Sequence, residues 1–265
     1  MIKFMHIFDK DTEVREIAPS VYSGTISENW LINNNPNGGY LMSILAKAMA
    51  DKSQKKSTPI ITANYISRCK PGAIEVTVEE ITVSRQFNRY EAKLFQDGDE
   101  KVRALGTFAD INSECSINRN ESPQPVLSEK ETCIGMPSVP GYTVFENMEL
   151  LLDPTCAGWL QGNLSEISEN KGWLRFRQPR QHDMFSILQI ADSIPPAAFV
   201  SQGATAWVPT IELSVSIRNI PETEWLRCKL RTRHITCGLL EADAEVWDDT
   251  GNLVAISRQI AQFRQ

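Results

Sequence analysis

Apolar residues recur along this chain with two distinct periods. Between Tyr40 and Asp51, Leu41, Ile44, Leu45 and Ala48 fall at i, i+3, i+4 and i+7, the spacing of one buried helical face. The turn Asn35-Pro36-Asn37-Gly38-Gly39 opens that helix. Beyond it the period drops to two, and four strands are predicted. Ile60 to Cys69 is closed by Pro71-Gly72, and Ala73 to Arg85 carries Ile74, Val76 and Val78 on alternate positions. Arg89 to Phe95 runs into the turn Asp97-Gly98-Asp99, from which Lys101 to Phe108 returns as a hairpin.

The same order then repeats. A helix is predicted over Met184 to Ser193, stopped by Pro195-Pro196. Strands follow at Thr210 to Arg218, Trp225 to Thr236, Leu239 to Trp247 and Leu253 to Phe263, the last two joined by Asp248-Asp249-Thr250-Gly251-Asn252. Gly98 and Gly251 are 153 positions apart, Phe95 and Trp247 are 152, Phe108 and Phe263 are 155, and Asn64 and Glu212 are 148. A nearly constant offset through four strands indicates an internal duplication. The predicted unit is a helix wrapped by an antiparallel sheet, built twice, because a sheet with one apolar face needs a cover. Between the copies, Asn112 to Pro140 fills with Ser, Glu and Pro and reads as a connection. The expected organisation is residues 1–111, a linker at 112–140, and residues 141–265.

Charge and composition narrow the function. Lys and Arg total 27 against 33 acidic residues, a formal charge of −6, which disfavours the basic footprint that nucleic acid requires. At 42% hydrophobic and 23% charged residues the chain is globular in type and not disordered. No apolar run approaches the ~18 residues of a membrane span, and Met1 to Glu13 lacks the core of a secretion signal. The six cysteines, Cys69, Cys115, Cys133, Cys156, Cys228 and Cys237, include no C-x-x-C pair; free buried thiols and a cytoplasmic location are expected. There is no G-x-S-x-G elbow and no H-E-x-x-H, and His6, His182 and His234 share no helical turn. Neither a metal nor a cofactor is expected. Ser53-Gln54-Lys55-Lys56 matches S-x-x-K, but lysines at a helix end answer the helix dipole.

A helix opened by Gly38-Gly39-Tyr40, a long antiparallel sheet, and the terminal run from Glu245-Val246-Trp247 through Gln259 to Arg264 together resemble the acyl-CoA thioesterase II family and its thioesterase-like relatives. The resemblance extends from about Ser20 to Arg264. It implies an α+β double hotdog, two antiparallel sheets each wrapped around a central helix and merged side by side. It implies hydrolysis of acyl-CoA to a fatty acid and free CoA, and a homodimer or higher homo-oligomer.

The family's Asp, Thr and Gln fall on Asp192, at the end of the second helix, Thr210, which opens the next strand, and Gln259, in the last strand. Asp192 would accept a proton from water that Gln259 and Thr210 orient. The duplication puts Ala104 to Thr107 where Gln259 lies, so one active site per chain is implied. Gly38, Gly39 and Tyr40 are expected to bind substrate, their N–H groups facing the oxyanion. Phe185, Phe199 and Trp207 are candidates for the acyl tunnel, and Lys55-Lys56 and Arg227 to Arg233 for CoA phosphates. A hotdog hydratase or dehydratase and a non-catalytic acyl-CoA-binding protein are the alternatives, since a fold alone does not give function.

Overall fold

In the computed structural model, which describes residues 5–110, 117 and 119–264, the chain forms one large antiparallel sheet that carries its two central helices on a single face, beside a small two-stranded sheet of Leu31–Ile32 and Asn35–Pro36. The first half comprises α1 (Ile7–Asp11), β1 (Val14–Ala18), β2 (Val21–Ile26), β3 (Leu31–Ile32), β4 (Asn35–Pro36), α2 (Gly38–Lys52), β5 (Ser57–Tyr65), β6 (Gly72–Val83), β7 (Asn88–Gln96) and β8 (Asp99–Ala109). The second comprises β9 (Ile134–Gly135), α3 (Val144–Asn147), β10 (Met148–Leu152), β11 (Glu169–Phe176), α4 (Met184–Ala191), α5 (Ala198–Gln202), β12 (Thr210–Ile217), β13 (Leu226–Arg231), β14 (Ile235–Thr236), β15 (Leu239–Trp247) and β16 (Leu253–Gln262).

The sheet order is β1-β2-β6-β7-β8-β5-β12-β16-β15-β13-β11-β10-β9, with β14 beside β15. From β2 to β11 it reads as the same five-strand order reflected about the β5–β12 seam. At that seam Glu212 pairs with Asn64, the two residues that the offset of 148 makes equivalent. A residue paired with its own counterpart marks a local two-fold relation, which supports the duplication. The two expected sheets are therefore one hydrogen-bonded sheet, because β5 and β12 satisfy each other's free edges.

Helix α2 is buried on more than the predicted stripe. Tyr40, Met42, Ser43, Ala46 and Met49 are enclosed along with Leu41, Ile44, Leu45 and Ala48, since the sheet covers one side and α4 another. Ser43 ties the helices together, its hydroxyl lying 2.7 Å from Gly39 O and 2.9 Å from Phe185 O. Lys56 Nζ donates to Ala50 O and Ser53 O, so the S-x-x-K lysine satisfies carbonyls at the α2 C-terminus.

Part of the connection between the halves packs on the second half. Trp173 Nε1 and Lys171 Nζ donate to Ser128 O and Val126 O, and β9 pairs with β10. The first residues of that connection, with Cys115, lie outside the described residues. Cys69, Cys156 and Cys228 are buried free thiols, but Cys237 is exposed on a turn with φ of 51°. His182 is half-buried beside Phe176, and desolvation lowers its pKa.

Candidate active site

The N-terminus of α2 abuts the C-terminus of α4, and the two glycines permit it. A Cβ on Gly39 would stand 2.5 Å from Leu188 O and 3.0 Å from Gln189 Cα, both backbone atoms of α4. A Cβ on Gly38 would stand 2.8 Å from Asp192 Oδ2 and 2.9 Å from the Tyr65 hydroxyl. Glycine here serves a close approach between helices.

Asp192 caps α4, and its carboxylate enters the N-terminal end of α2. Oδ2 accepts from Gly39 N at 2.9 Å and from Asn37 Nδ2 at 3.1 Å, and Asn37 Nδ2 also lies 2.8 Å from Asp192 O. Oδ1 accepts from Gln259 Nε2 at 3.2 Å. The same Nε2 lies 2.5 Å from Thr210 Oγ1. Three of the expected site residues thus converge on one amide group.

Thr210 reaches this cluster through a bulge. Leu213 and Val215 point inward from β12, so strict alternation would turn Thr210 outward. The register shifts between Thr210 and Glu212, which pairs Thr210 with Ala261 and puts it on the face that Gln259 shares. Bulges re-aim side chains in this way.

Burial pushes the Asp192 carboxyl up to about 6, against the opposing effect of the N–H groups of Gly39, Gly38, Asn37 and Gln259. Such a group holds its proton weakly enough to be ionised at neutral pH, yet is basic enough to accept one. Asn37 is itself held twice: its Oδ1 accepts from Tyr40 N at 3.0 Å, capping α2, and from buried Gln189 Nε2 at 3.1 Å. The Tyr65 hydroxyl donates to Gly38 O at 2.8 Å. Asn37, Gln189 and Tyr65 were not singled out from sequence; the Asn-Gly-Gly run ahead of an apolar helix was the available sign of an N-cap.

The expected trio of Gly38, Gly39 and Tyr40 divides. Gly38 lines the cavity described below, whereas the Gly39 N–H serves Asp192 and the Tyr40 N–H serves Asn37. The Tyr40 side chain is buried on the far side, its hydroxyl donating to Asp11 O at 2.7 Å and accepting from Ser27 N at 3.0 Å.

Asp192, Thr210 and Gln259 border a cavity of about 600 Å³. Phe199 and Trp207 line it as expected, with Phe145 and Trp159. Phe185 does not; it sits beneath Lys47 Nζ in a separate groove. The basic residues in the cavity wall are Arg68 and Arg264. The basic runs nominated from sequence are engaged elsewhere: Lys55 pairs with Asp110, Arg227 stacks on Trp173, and Arg233 pairs with Asp243. Among the described residues no cluster of three His, Cys, Asp or Glu side chains is arranged to hold a metal ion, and no helix is long and apolar enough to cross a membrane.

Residues 26–109 match the family described as acyl-CoA thioesterase N-terminal domain, and residues 125–263 match the acyl-CoA thioesterase C-terminal domain. The chain is 22% identical to an uncharacterized protein of Mycobacterium tuberculosis, the match covering 95% of this chain and 94% of the other. The solved structure of a Thermobifida fusca protein named as a thioesterase II superposes with a TM-score of 0.90 at 23% identity over 98% of each chain. A protein of unknown function with a hot dog fold from Alicyclobacillus acidocaldarius superposes with a TM-score of 0.89 at 17% identity over 99% of each chain. These structural likenesses bear on the fold. The two domain matches, which together span most of the sequence in the order of its two halves, place the chain in the acyl-CoA thioesterase family.

Proposed function

We propose that the chain hydrolyses acyl-CoA thioesters, using a water molecule that Asp192 deprotonates and that Gln259 and Thr210 hold. One observation carries this reading: Gln259 Nε2 bonds to both Asp192 Oδ1 and Thr210 Oγ1 at the wall of a largely apolar cavity. An amide that donates to both residues leaves its own Oε1 to accept from water, and Asp192 Oδ1 lies beside it as the base. As the water oxygen attacks the thioester carbon, its proton passes to Asp192. When the C–S bond breaks, that proton is available to the departing CoA thiolate, whose thiol has an ordinary pKa near ~8.5. Arg68 and Arg264 supply positive charge for the CoA phosphates.

The rival hydratase reading has less support, because none of His6, His182 and His234 lines this cavity. Release of free thiol from octanoyl-CoA, followed colorimetrically, tests the proposal. Asp192→Asn should lower kcat by about 10²–10⁴-fold with KM little changed, since the lost interaction belongs to the transition state. An Asn variant as fast as the native chain, or a native chain that releases no thiol, would overturn it.

A further inference from the structure

Helix α4 encloses a glutamine between two apolar side chains. Gln189 is fully buried beside Leu188 and Ile190, a place that Met or Leu would fill by packing alone. Its Nε2 carries two hydrogens, and each has an acceptor, Asn37 Oδ1 at 3.1 Å and Ser193 Oγ at 2.9 Å. Its Oε1 is buried and has no donor among the described residues. A buried acceptor without a donor is unfavourable, so packing does not explain a glutamine here.

The two partners of Nε2 flank the Asp192 carboxylate. Asn37 Nδ2 donates to Asp192 Oδ2 and Asp192 O, and Ser193 follows Asp192 in the chain. The Gln189 main chain holds the same two residues, since its O accepts from Asp192 N at 3.2 Å and from Ser193 Oγ at 2.7 Å. The direction of these bonds is set from one end. Tyr40 N only donates, so the Asn37 oxygen faces it and the Asn37 nitrogen faces Asp192. That same oxygen can meet only the donor end of the Gln189 amide, which leaves Oε1 where no donor reaches it. A bond into Asn37 Oδ1 also polarises the amide and strengthens what Nδ2 gives to the carboxylate.

We propose that Gln189 is a positioning residue for hydrolysis, its Nε2 holding Asn37 and Ser193 on either side of Asp192 so that the carboxylate meets Gln259 and the water in one geometry. The inference rests on the acyl-CoA reading above. Gln189 lies outside the cavity wall and acts only through these neighbours. The fold does not depend on its amide. Without it, Asn37 Oδ1 still accepts from Tyr40 N, and Ser193 Oγ still donates to the main-chain O at position 189.

The test is Gln189→Met, which keeps the length of the side chain and removes both the donor and the unpaired acceptor. Its melting temperature should stay within roughly 4 °C of native. Its kcat for octanoyl-CoA should fall by about 5- to 10-fold with KM little changed. The acidic limb of kcat/KM should rise by roughly 0.3 pH unit, because a weaker Asn37 donor favours the protonated acid. Around Asp192, Asn37, Thr210 and Gln259 are uncharged, and Tyr65 of β5, held by burial well above its ordinary range, stays neutral. Added to Asn37→Ser, Gln189→Met should move the limb no further, since its effect on the carboxyl passes through Asn37. Gln189→Leu serves as a second variant. Native kcat and an unmoved limb in a folded variant, a further shift in the double variant, or failure of both the Met and Leu chains to fold each overturn the inference and leave the hydrolytic reading standing. If the native chain cleaves no thioester, the hydrolytic reading fails, and urea denaturation across pH decides the inference. The fall in stability with the Asp192 titration should then end at higher pH in Gln189→Met than in the native chain, and an unmoved end point refutes it.

Discussion

Removing the Asn37 amide should change the pH dependence of the reaction and not merely the stability of the fold. Asn37 does two separable jobs. Its Oδ1 caps α2 by accepting from Tyr40 N, and its Nδ2 donates to Asp192 Oδ2 at 3.1 Å. Replacing an N-cap Asn with Ala costs about 1 kcal/mol, a fall in melting temperature of roughly 2–4 °C for a chain of this size. A hydrogen bond to a charged group contributes about 1.5–3 kcal/mol, and 1.36 kcal/mol corresponds to about one pH unit. Asn37→Ala should therefore move the acidic limb of kcat/KM upward by roughly one pH unit from its native position near 6. The sign follows from the partner: the amide favours the carboxylate, so its loss favours the protonated acid. Asn37→Ser separates the two jobs, since serine caps a helix as well as asparagine but lacks the amide donor. Its melting temperature should fall less than that of Asn37→Ala, while its acidic limb shifts upward as far. The profile is measured by loss of thioester ultraviolet absorbance, which works on both sides of neutrality. An Asn37→Ala variant that is less stable but keeps the native acidic limb would show that Asn37 only caps the helix, and the reasoning would fail.

Two further outcomes follow from the same geometry. The Asp192 carboxyl titrates near 6 in the folded chain, against an ordinary value of 3.8. The folded state therefore binds the extra proton, and its stability falls as pH rises through that window. Asp192→Asn, which cannot ionise, should gain stability relative to the native chain by up to about 3 kcal/mol between about pH 4 and about pH 7.5, read from urea denaturation. A stability difference that is flat with pH would contradict the burial argument. Gly39→Ala should destabilise by at least ~1–3 kcal/mol and lower activity, because its methyl meets the α4 backbone at Leu188 O and no rotamer relieves the clash. A Gly39→Ala chain with native melting temperature and rate would mean that the helices part more readily than their packing suggests.

Local pattern was enough for much of this fold. Alternation of apolar positions located β6, β7, β8 and β15, and the Gly98 and Gly251 turns joined their hairpins, since a glycine there adopts the positive φ that the turn demands. The i, i+3, i+4, i+7 spacing located α2, and the offset between halves exposed the duplication. Two of the strands that went unrecognised lack this period, while β10 is buried at alternate positions but hides it in the apolar run Leu150-Leu151-Leu152. In β1 four of five residues are exposed, and in β11 three consecutive residues, Gly172, Trp173 and Leu174, are buried. Asp192, Thr210 and Gln259, and their meeting around one water, were legible through family resemblance alone; local pattern did not give the route by which they meet. Thr210 faces the cavity only because an extra residue shifts the strand register, and a bulge has no composition that alternation can detect. Asn37 meets Asp192 across 155 residues, and Gly39 is glycine because a carbonyl of α4 occupies the space of its Cβ. Periodicity reports which side of an element is buried; which distant backbone or carboxylate lies there is decided only when the two halves close on each other.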